Sequence, residues 1–535
     1  MGWSLKGQHE ANIGGRRHGL TGRWPGPLVV ASVLCMVLTL GPLCWGQLIG
    51  SDRGNSVKHL LHHQHDSGPE AMEIIKARGF IGEQYALTSR DGAPLAIYHI
   101  INPLADQRTL NRYPVLYFHG VTGDAAQMLS HSDLTKPRRP VLGQVTYDLS
   151  DTSLPFMLAN NNFDVYMADA RGSNLNNHRV ADDFNLLMGQ KFWNFSLDEH
   201  ILNDLPTFID FVLDQTHEDK LHYVGYSQST LFMFCLMAAI PAYQARLASV
   251  ITMAPVAYLN GAQGITLPGF LPSALIPEQI NGNFVPQMFI DTGGTVLREM
   301  CQFEPITRTL CLGASSAFSG SGTNELSKSF YAANFKGVSI KTARHFIQIF
   351  LHKRLGMYDY GTDGNLRQYG QPTPPRYDLS KIKFPFLIIF RGGKDLVSDP
   401  VDQEQLIREL GVKPYLDFNF PNYNHIDFII SRNIIFDVNL PATKAMFHLL
   451  KLQSYPPGSY LRHPAKALMP KRLKPAQTVV PDGTRTLKIK SNLMNDMINT
   501  FTQSMTGDVL DPGVGITAGA VSLSPLKQPL AMPLM

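Results

Sequence analysis

The sequence predicts an α/β protein built on a mostly parallel sheet, with helices covering both faces. Short runs rich in β-branched and aromatic residues recur along the chain, and each ends in Gly, Pro or a polar turn. Several of these runs alternate with amphipathic stretches of helical length, a pattern typical of parallel sheets. With 535 residues, 44% hydrophobic and 17% charged, the chain can bury a large core.

The individual elements follow from local patterns. EQYALTSRDGAPLAIYHII predicts an antiparallel hairpin that turns at Asp91–Gly92. Amphipathic helices are predicted in EHILNDLPTFIDFVLDQT and DQEQLIREL. Since ligands collect at the carboxyl ends of parallel strands, the polar turns after the strands mark the expected site. Six further segments each predict a buried strand: YPVLYFHG, FDVYMADARG, LHYVGYS, ASVITMAPV, FPFLIIFRGG and PYLDFNFPN.

Two regions break this alternation. Residues 258–335 are apolar but rich in Gly and Pro, so they cannot form one regular helix and instead predict an inserted cap of short helices and loops. The tail, 453–535, has prolines, scattered basic residues and little apolar periodicity, which predicts a largely disordered segment. The predicted domains are a linker at 47–67, the first part of the core at 68–257, the cap at 258–350 and the second part of the core at 351–452.

The two ends of the chain are basic, whereas the middle is mildly acidic. Residues 1–46 carry a net charge of +3 and the residues from 450 onward +6, which leaves −5 for the middle. Three arginines up to Arg23 precede the apolar run PLVVASVLCMVLTL, and small residues follow at Cys44 and Gly46. This pattern predicts a secretory signal peptide over residues 1–46, cleaved near Gly46. An uncleaved signal anchor is the alternative, but the run is shorter than the roughly 20 apolar residues of a spanning helix.

Cysteine usage is compatible with export. Cys301 and Cys311 lie close enough in sequence to form a disulfide in an oxidising compartment, and two unlinked cysteines are the alternative. Cys235 lies in an apolar run and is interpreted as a buried thiol. Asn194 begins the glycosylation sequence Asn-Phe-Ser, although burial of its aromatic segment FWNF would keep it unmodified.

A candidate nucleophile lies at Ser227, in Gly-Tyr-Ser-Gln-Ser at residues 225–229. A strand, a tight turn and an apolar helix surround it, which is the context of the G-x-S-x-G nucleophile elbow. Gly225 satisfies the first small position, and Ser229 replaces the second glycine with another small residue. A structural turn serine is the alternative interpretation.

A nucleophilic serine needs a base and a group that orients the base. Asp395 follows the strand FPFLIIFRGG and His425 follows YLDFNF, in the order Ser, acid, His that this kind of fold uses. Asp399 and Asp402 are rivals that resemble helix-start residues, and Asp427 is expected to support the histidine loop. Three further histidines lie in helical patterns and are interpreted as structural: His345, His352 and His448.

Acyl transfer also needs hydrogen-bond donors for the developing oxyanion. The elbow would supply the backbone N–H of Gln228, and the loop His119–Gly123 after the strand YPVLYF would supply that of Val121. An ordinary glycine turn is the alternative for this loop.

Together these motifs resemble the acid lipase family, the gastric and lysosomal lipases of the α/β-hydrolase fold. The resemblance runs from about residue 68 to 450 and includes YFHGVTG, FWNFSLDE, LHYVGYSQS, PPRYDLSKIKFP, GGKDLVSDP and YNHIDF in the family order. It implies a serine nucleophile with its acid and histidine, oxyanion amides at Val121 and Gln228, and a Cys301–Cys311 disulfide within the cap. It also implies acyl esters of glycerol or sterol as substrates.

The sequence departs from the family at four points. The family elbow reads G-H-S-Q-G, whereas this chain has Tyr226 and Ser229 in place of the histidine and the last glycine. DARG stands where the family has an Asn-containing version, SHSDLTKPRRPVLGQVTYD lengthens the loop after the oxyanion strand, and the basic tail has no counterpart in short family members. No departure removes a triad residue.

The predicted function is therefore hydrolysis of lipid carboxylic esters by a secreted or lumenal enzyme, extracellular or lysosomal. The predicted chemistry requires no metal or cofactor, and we expect a lipid ester at an oil–water or membrane interface as partner, with no nucleic acid. The apolar cap suits a long-chain substrate, and its glycines and prolines would let it open at an interface, with static burial as the alternative. Two alternatives remain: an esterase of small soluble esters, and a silent lipid-binding homologue. The basic tail is either a tether to anionic lipid or glycan or a dispensable solvated extension.

Overall fold

The computed structural model of the protein describes the residues 71–106, 110–111, 113–129, 140, 153–173, 193–263, 320, 338–431 and 433–452. These residues all belong to one compact unit, which spans 1–480. The predicted signal peptide, the linker, the Cys301–Cys311 pair and the tail at 453–535 lie outside the described residues, as does most of the predicted cap. Predictions that concern those segments stay predictions.

The core is a sheet of eight described strands in the order β1-β2-β4-β3-β5-β6-β7-β8. β1 and β2 pair antiparallel, β2 pairs antiparallel with β4, and the other neighbours all pair parallel. The predicted mostly parallel sheet is confirmed. The strands are β1 Ile81–Thr88, β2 Pro94–Ile101, β3 Val115–Phe118, β4 Val165–Asp169, β5 Leu221–Tyr226, β6 Leu247–Met253, β7 Leu387–Gly392 and β8 Leu416–Phe420.

The hairpin and all six further strands form where the sequence predicts them. In the hairpin turn, Gly92 has φ 87° and donates its N–H to the Ser89 carbonyl at 2.9 Å, a conformation that glycine adopts without steric cost. The prediction of a buried strand is wrong for β8, in which only Leu416 is buried. The exposed residues of this edge strand are Asp417 and Asn419, which alternate with apolar residues and therefore share one face.

Helices pack against the sheet where apolar residues dominate one face or the whole surface. Every residue of helix α6 from Gln228 to Ala238 is buried, because this helix runs beneath other elements rather than on the surface. Phe232 and Phe234 on this helix are fully buried, and each contributes on the order of 2 kcal/mol of hydrophobic stabilisation. The described α-helices are α1 Ala71–Ala77, α2 Ala125–Leu129, α3 Leu154–Asn160, α4 Leu197–Glu199, α5 Leu205–Thr216, α6 Gln228–Ala239, α7 Ile340–His352, α8 Gly361–Tyr369, α9 Pro400–Glu409, α10 Asp427–Ile430 and α11 Leu440–Leu452.

Helix α7 crosses the predicted end of the cap at residue 350. Ser339 precedes it as the N-cap, with a hydroxyl that accepts the Thr342 N–H. Phe346 and Ile347 of this helix belong to the main hydrophobic core. Because this helix packs with the core, we propose that the second part of the core begins near residue 338.

Neither a membrane span nor a metal cluster occurs among the described residues. No helix there is long and apolar enough to cross a bilayer. In the same part of the chain, no three His, Cys, Asp or Glu side chains gather in a way that could hold a metal ion.

Candidate active site

Ser227 lies in the turn between strand β5 and helix α6, with φ 54° and ψ −119°. A positive φ of this kind costs a non-glycine residue on the order of 1–3 kcal/mol, so surrounding contacts must maintain it. The Ser227 N–H donates to the Met253 carbonyl at 2.9 Å, and the Thr230 N–H and hydroxyl both donate to the Ser227 carbonyl. The strand, strained turn and buried helix together have the geometry of a nucleophile elbow.

The structure brings Ser227, His425 and Asp395 together in one hydrogen-bonded chain. His425 Nε2 lies 2.7 Å from Ser227 Oγ, and His425 Nδ1 lies 2.8 Å from Asp395 Oδ2. A carboxylate can only accept, so Nδ1–H donates to Asp395 and leaves the Nε2 lone pair for the Ser227 hydroxyl. All three residues are buried, which strengthens these electrostatic contacts. The imidazole is therefore arranged to remove the proton of the serine hydroxyl.

The loop after β7 orients the carboxylate of Asp395. Its Oδ1 accepts the backbone N–H groups of Val397 and Ser398, both at 2.8 Å, while Oδ2 faces the imidazole. Three donors thus surround one buried carboxylate, and they leave it a single orientation.

The rival acidic residues have other partners. Asp399 caps helix α9 by accepting the Val401 N–H at 2.9 Å. Asp402 accepts the N–H of Asn260 at 3.0 Å and that of the following glycine. Asp427 accepts the Asn424 N–H at 2.8 Å, and so contacts the histidine loop as the sequence predicts.

Ser229, which replaces the last glycine of the elbow motif, is fully buried, and its hydroxyl is fully hydrogen-bonded. Its hydroxyl accepts the Tyr226 N–H at 2.9 Å and lies 2.9 Å from the Phe118 carbonyl, so it bridges the ends of strands β5 and β3. Gly225 must remain small, because a Cβ there would lie 2.8 Å from the Tyr223 ring and 3.1 Å from the Ser229 hydroxyl. Ser229 therefore supplies hydrogen bonds between strands that a glycine at this position would lack.

The predicted oxyanion loop is fixed by His119. Burial lowers the pKa of His119 to about 4, so the imidazole is neutral over most of the pH range. Its Nδ1–H donates to the Gly120 carbonyl at 2.7 Å, and its Nε2 accepts the Ala170 N–H at 3.0 Å. The Gly120 N–H in turn donates to Gln127 Oε1 at 3.3 Å. These contacts hold the loop rigid directly before Val121.

Val121 and Gln228 line the same cavity. Gln228 is the first residue of helix α6, so its N–H has no acceptor within the helix. Among the described residues, none accepts a hydrogen bond from the Val121 N–H. The oxyanion role of these two amides stays a prediction, and their place beside one cavity agrees with it.

An ionic network borders the cavity, which Arg171 and His200 line. Arg171 from the DARG segment donates to Asp204 at 2.8 Å through Nε and to Asp91 at 2.7 Å through a terminal nitrogen. Burial opposes ionisation of Asp204, yet the Arg171 charge outweighs it and lowers the pKa of this carboxyl. His200 also contacts Asp204 at 3.0 Å. The network joins three parts of the chain beside the site: the hairpin turn, the end of strand β4 and the helical segment that follows helix α4.

Sequence reasoning missed the side chains that support the oxyanion loop. His119 and Gln127 act through their side chains, and only the loop backbone was predicted to matter. A histidine directly after a buried strand was the available signal. The expectation that burial protects Asn194 is wrong: Trp193 and Phe195 are buried, but Asn194 itself is exposed. The backbone turns here, with the Phe195 N–H donating to the Trp193 carbonyl at 2.8 Å.

The sheet order and the elbow define an α/β hydrolase, and the profile of the α/β hydrolase fold family matches residues 113–431. Individual proteins similar to this chain indicate which family of α/β hydrolases it belongs to. Gastric triacylglycerol lipase from Mus musculus is 30% identical over 378 residues, 68% of this chain and 88% of that protein. The Bos taurus gastric triacylglycerol lipase is 29% identical over 376 residues, with the same shares. Lipase member K from Homo sapiens is 27% identical over 409 residues, 74% of this chain and 94% of that protein. The chain belongs to the acid lipase family of α/β hydrolases, as its motifs predicted.

Proposed function

We propose that this protein hydrolyses carboxylic esters of lipids through Ser227, His425 and Asp395. The observation that carries the proposal is the position of the His425 ring, with Nε2 2.7 Å from Ser227 Oγ and Nδ1 2.8 Å from Asp395 Oδ2. A nucleophile, a base and a group that orients the base are the constellation that acyl transfer needs.

In the first half of the reaction, Ser227 Oγ attacks the ester carbonyl while His425 Nε2 takes the hydroxyl proton. Asp395 holds the Nδ1–H tautomer and stabilises the imidazolium that forms. The backbone N–H groups of Val121 and Gln228 stabilise the oxyanion, and losing one such donor typically costs about 3–4 kcal/mol.

In the second half, the tetrahedral intermediate expels the alcohol, which takes its proton from His425 and leaves an acyl ester on Ser227. Water then attacks this ester, with His425 again as base, and the carboxylic acid leaves. Each proton that His425 accepts is returned, so the enzyme ends in its starting state.

The lipid substrate class is supported by the relatives, which include the gastric triacylglycerol lipases of Bos taurus and Mus musculus. The apolar cap predicted over residues 258–350 agrees with a long acyl chain. Glycerol and sterol esters both fit this chemistry, and an ester panel separates them.

The test measures ester hydrolysis by the full chain and by Ser227→Ala, with labelling by a fluorophosphonate. We expect the wild type to be labelled and to hydrolyse emulsified triacylglycerol or sterol ester, and Ser227→Ala to do neither. Hydrolysis of short soluble esters alone would contradict the lipid assignment. A wild type that is folded, unlabelled and inactive would contradict catalysis and favour the silent lipid-binding alternative.

We also propose that the protein enters the secretory pathway, with cleavage near Gly46, a Cys301–Cys311 disulfide and glycosylation at Asn194. The basic residues and apolar run before Gly46 support the first step, and the exposure of Asn194 supports its modification. N-terminal sequencing tests the cleavage. A mobility shift on glycosidase treatment tests the glycosylation, with Asn194→Gln as the control. A product that keeps its first 46 residues would refute cleavage.

A further inference from the structure

The side chain of Tyr226 contacts the His425 loop and the predicted oxyanion loop, and its backbone leads directly into Ser227. It directly precedes Ser227, and its hydroxyl donates to the backbone carbonyl of His425 at 3.1 Å. Its ring lies beside the His425 ring, with centroids 5.5 Å apart. On the other side, a Cβ at Gly120 would lie 2.9 Å from the Tyr226 ring, so the tyrosine packs directly on the oxyanion loop.

Burial and hydrogen bonds hold the Tyr226 side chain and backbone in place. It is buried, and burial raises the pKa of its hydroxyl well above the ordinary value, so the group stays protonated and remains a donor. Its backbone N–H donates to the Ser229 hydroxyl at 2.9 Å. The two positions where this elbow departs from G-H-S-Q-G are therefore bonded to one another, and through Tyr226 to the histidine loop.

We propose that Tyr226 is a positioning residue that holds the His425 base in line with Ser227. The proposal rests on the function proposed above. The imidazole already has hydrogen bonds at both nitrogens, but its ring can occupy this position only while the His425 backbone stays in place. The Tyr226 hydroxyl binds the His425 backbone carbonyl, and Tyr226 itself is the neighbour of Ser227. This hydrogen bond therefore fixes the distance between the nucleophile and the base. A misplacement of about 1 Å between reacting groups can cost about a hundredfold in rate.

The test compares Tyr226→Phe with Tyr223→Phe. Tyr223 lies on the same strand and is also buried, but its hydroxyl donates to the Ser229 carbonyl, at 2.8 Å, and not to the histidine loop. Each variant loses one neutral buried hydrogen bond to a backbone carbonyl, so the two should lose similar stability.

We expect Tyr226→Phe to lower kcat at least tenfold, to change KM less than twofold and to slow fluorophosphonate labelling of Ser227 in proportion. Tyr223→Phe should keep kcat within twofold. Tyr226→His, which restores the family residue, should also lower kcat, because its shorter ring does not reach the His425 carbonyl.

A folded Tyr226→Phe with wild-type kcat would overturn the proposal, and so would equal losses of kcat in both phenylalanine variants. If Tyr226→Phe does not fold, a folded Tyr226→His with wild-type kcat would overturn it in the same way. A wild type without labelling or hydrolysis would instead overturn the proposed function, an outcome distinct from an active wild type that tolerates loss of the hydroxyl.

Discussion

Replacing Asp395 by asparagine should reverse the hydrogen bonding of the base. The Val397 and Ser398 N–H groups both donate to Oδ1, so an asparagine here must place its single oxygen at that point. Its NH₂ group then faces His425 Nδ1, which is 2.8 Å from the oxygen it replaces. Two donors cannot bond, so the imidazole must carry its proton on Nε2 instead.

The size of the effect follows from this tautomer. A protonated Nε2 donates to Ser227 Oγ and cannot accept the hydroxyl proton, so the serine has no base. We expect kcat to fall by about 10⁴-fold, the loss typical of a triad with the wrong tautomer, equivalent to about 5 kcal/mol of transition-state stabilisation. Binding contacts are unchanged, so KM should move little.

The assay is steady-state hydrolysis of the best ester from the substrate panel, with circular dichroism to confirm folding. Asp399→Asn is the matched control: it makes the same substitution four residues away, at a helix N-cap where asparagine and aspartate are equivalent. The control should retain its kcat within twofold. A folded Asp395→Asn that keeps more than a tenth of wild-type kcat would refute the proposed role of this carboxylate.

Two further predictions concern stability. Gly320 has φ 105°, and a Cβ there would lie 1.8 Å from the Lys394 carbonyl; Gly320→Ala should therefore lose about 2 kcal/mol of unfolding free energy in urea, and an unchanged midpoint would contradict this contact. Burial lowers the pKa of His99, but the Asp164 carboxylate outweighs it and raises the pKa from 6.5 to about 9. The His99–Asp164 pair contributes up to about 3 kcal/mol to the free energy of unfolding. This contribution is fully present below pH 6.5 and is lost as the pH rises through 9. His99→Phe should abolish that slope in urea titrations, and a persisting slope would assign it to other groups.

Much of this fold could be predicted because its strands carry strong local signals. LHYVGYS and FPFLIIFRGG are apolar, β-branched or aromatic runs with clear breaks, and both form parallel strands where predicted. Chain order and the ends of these strands also sufficed to select Asp395 and His425, which the structure brings to Ser227 across 168 and 198 residues of sequence.

One difference had a local signal: LDFNF in strand β8 alternates apolar and polar residues, and the exposed ones are Asp417 and Asn419. The remainder depends on tertiary contacts that no local pattern encodes. Tyr226 looks in sequence like a replaced histidine, and its link to the carbonyl of a residue 199 positions away appears only in the folded chain. Contacts of this kind join residues far apart in sequence and form only when the chain folds.

The strained backbone at Ser227 has an evolutionary consequence. Glycine tolerates positive φ without the Cβ penalty, so Ser227→Gly should relax this turn and leave an inactive protein more stable by about 1 kcal/mol. A gene copy released from hydrolysis could thus gain robustness by a single codon change at its former nucleophile. The proposed nucleophile thus costs the fold free energy that a glycine at the same place would not cost.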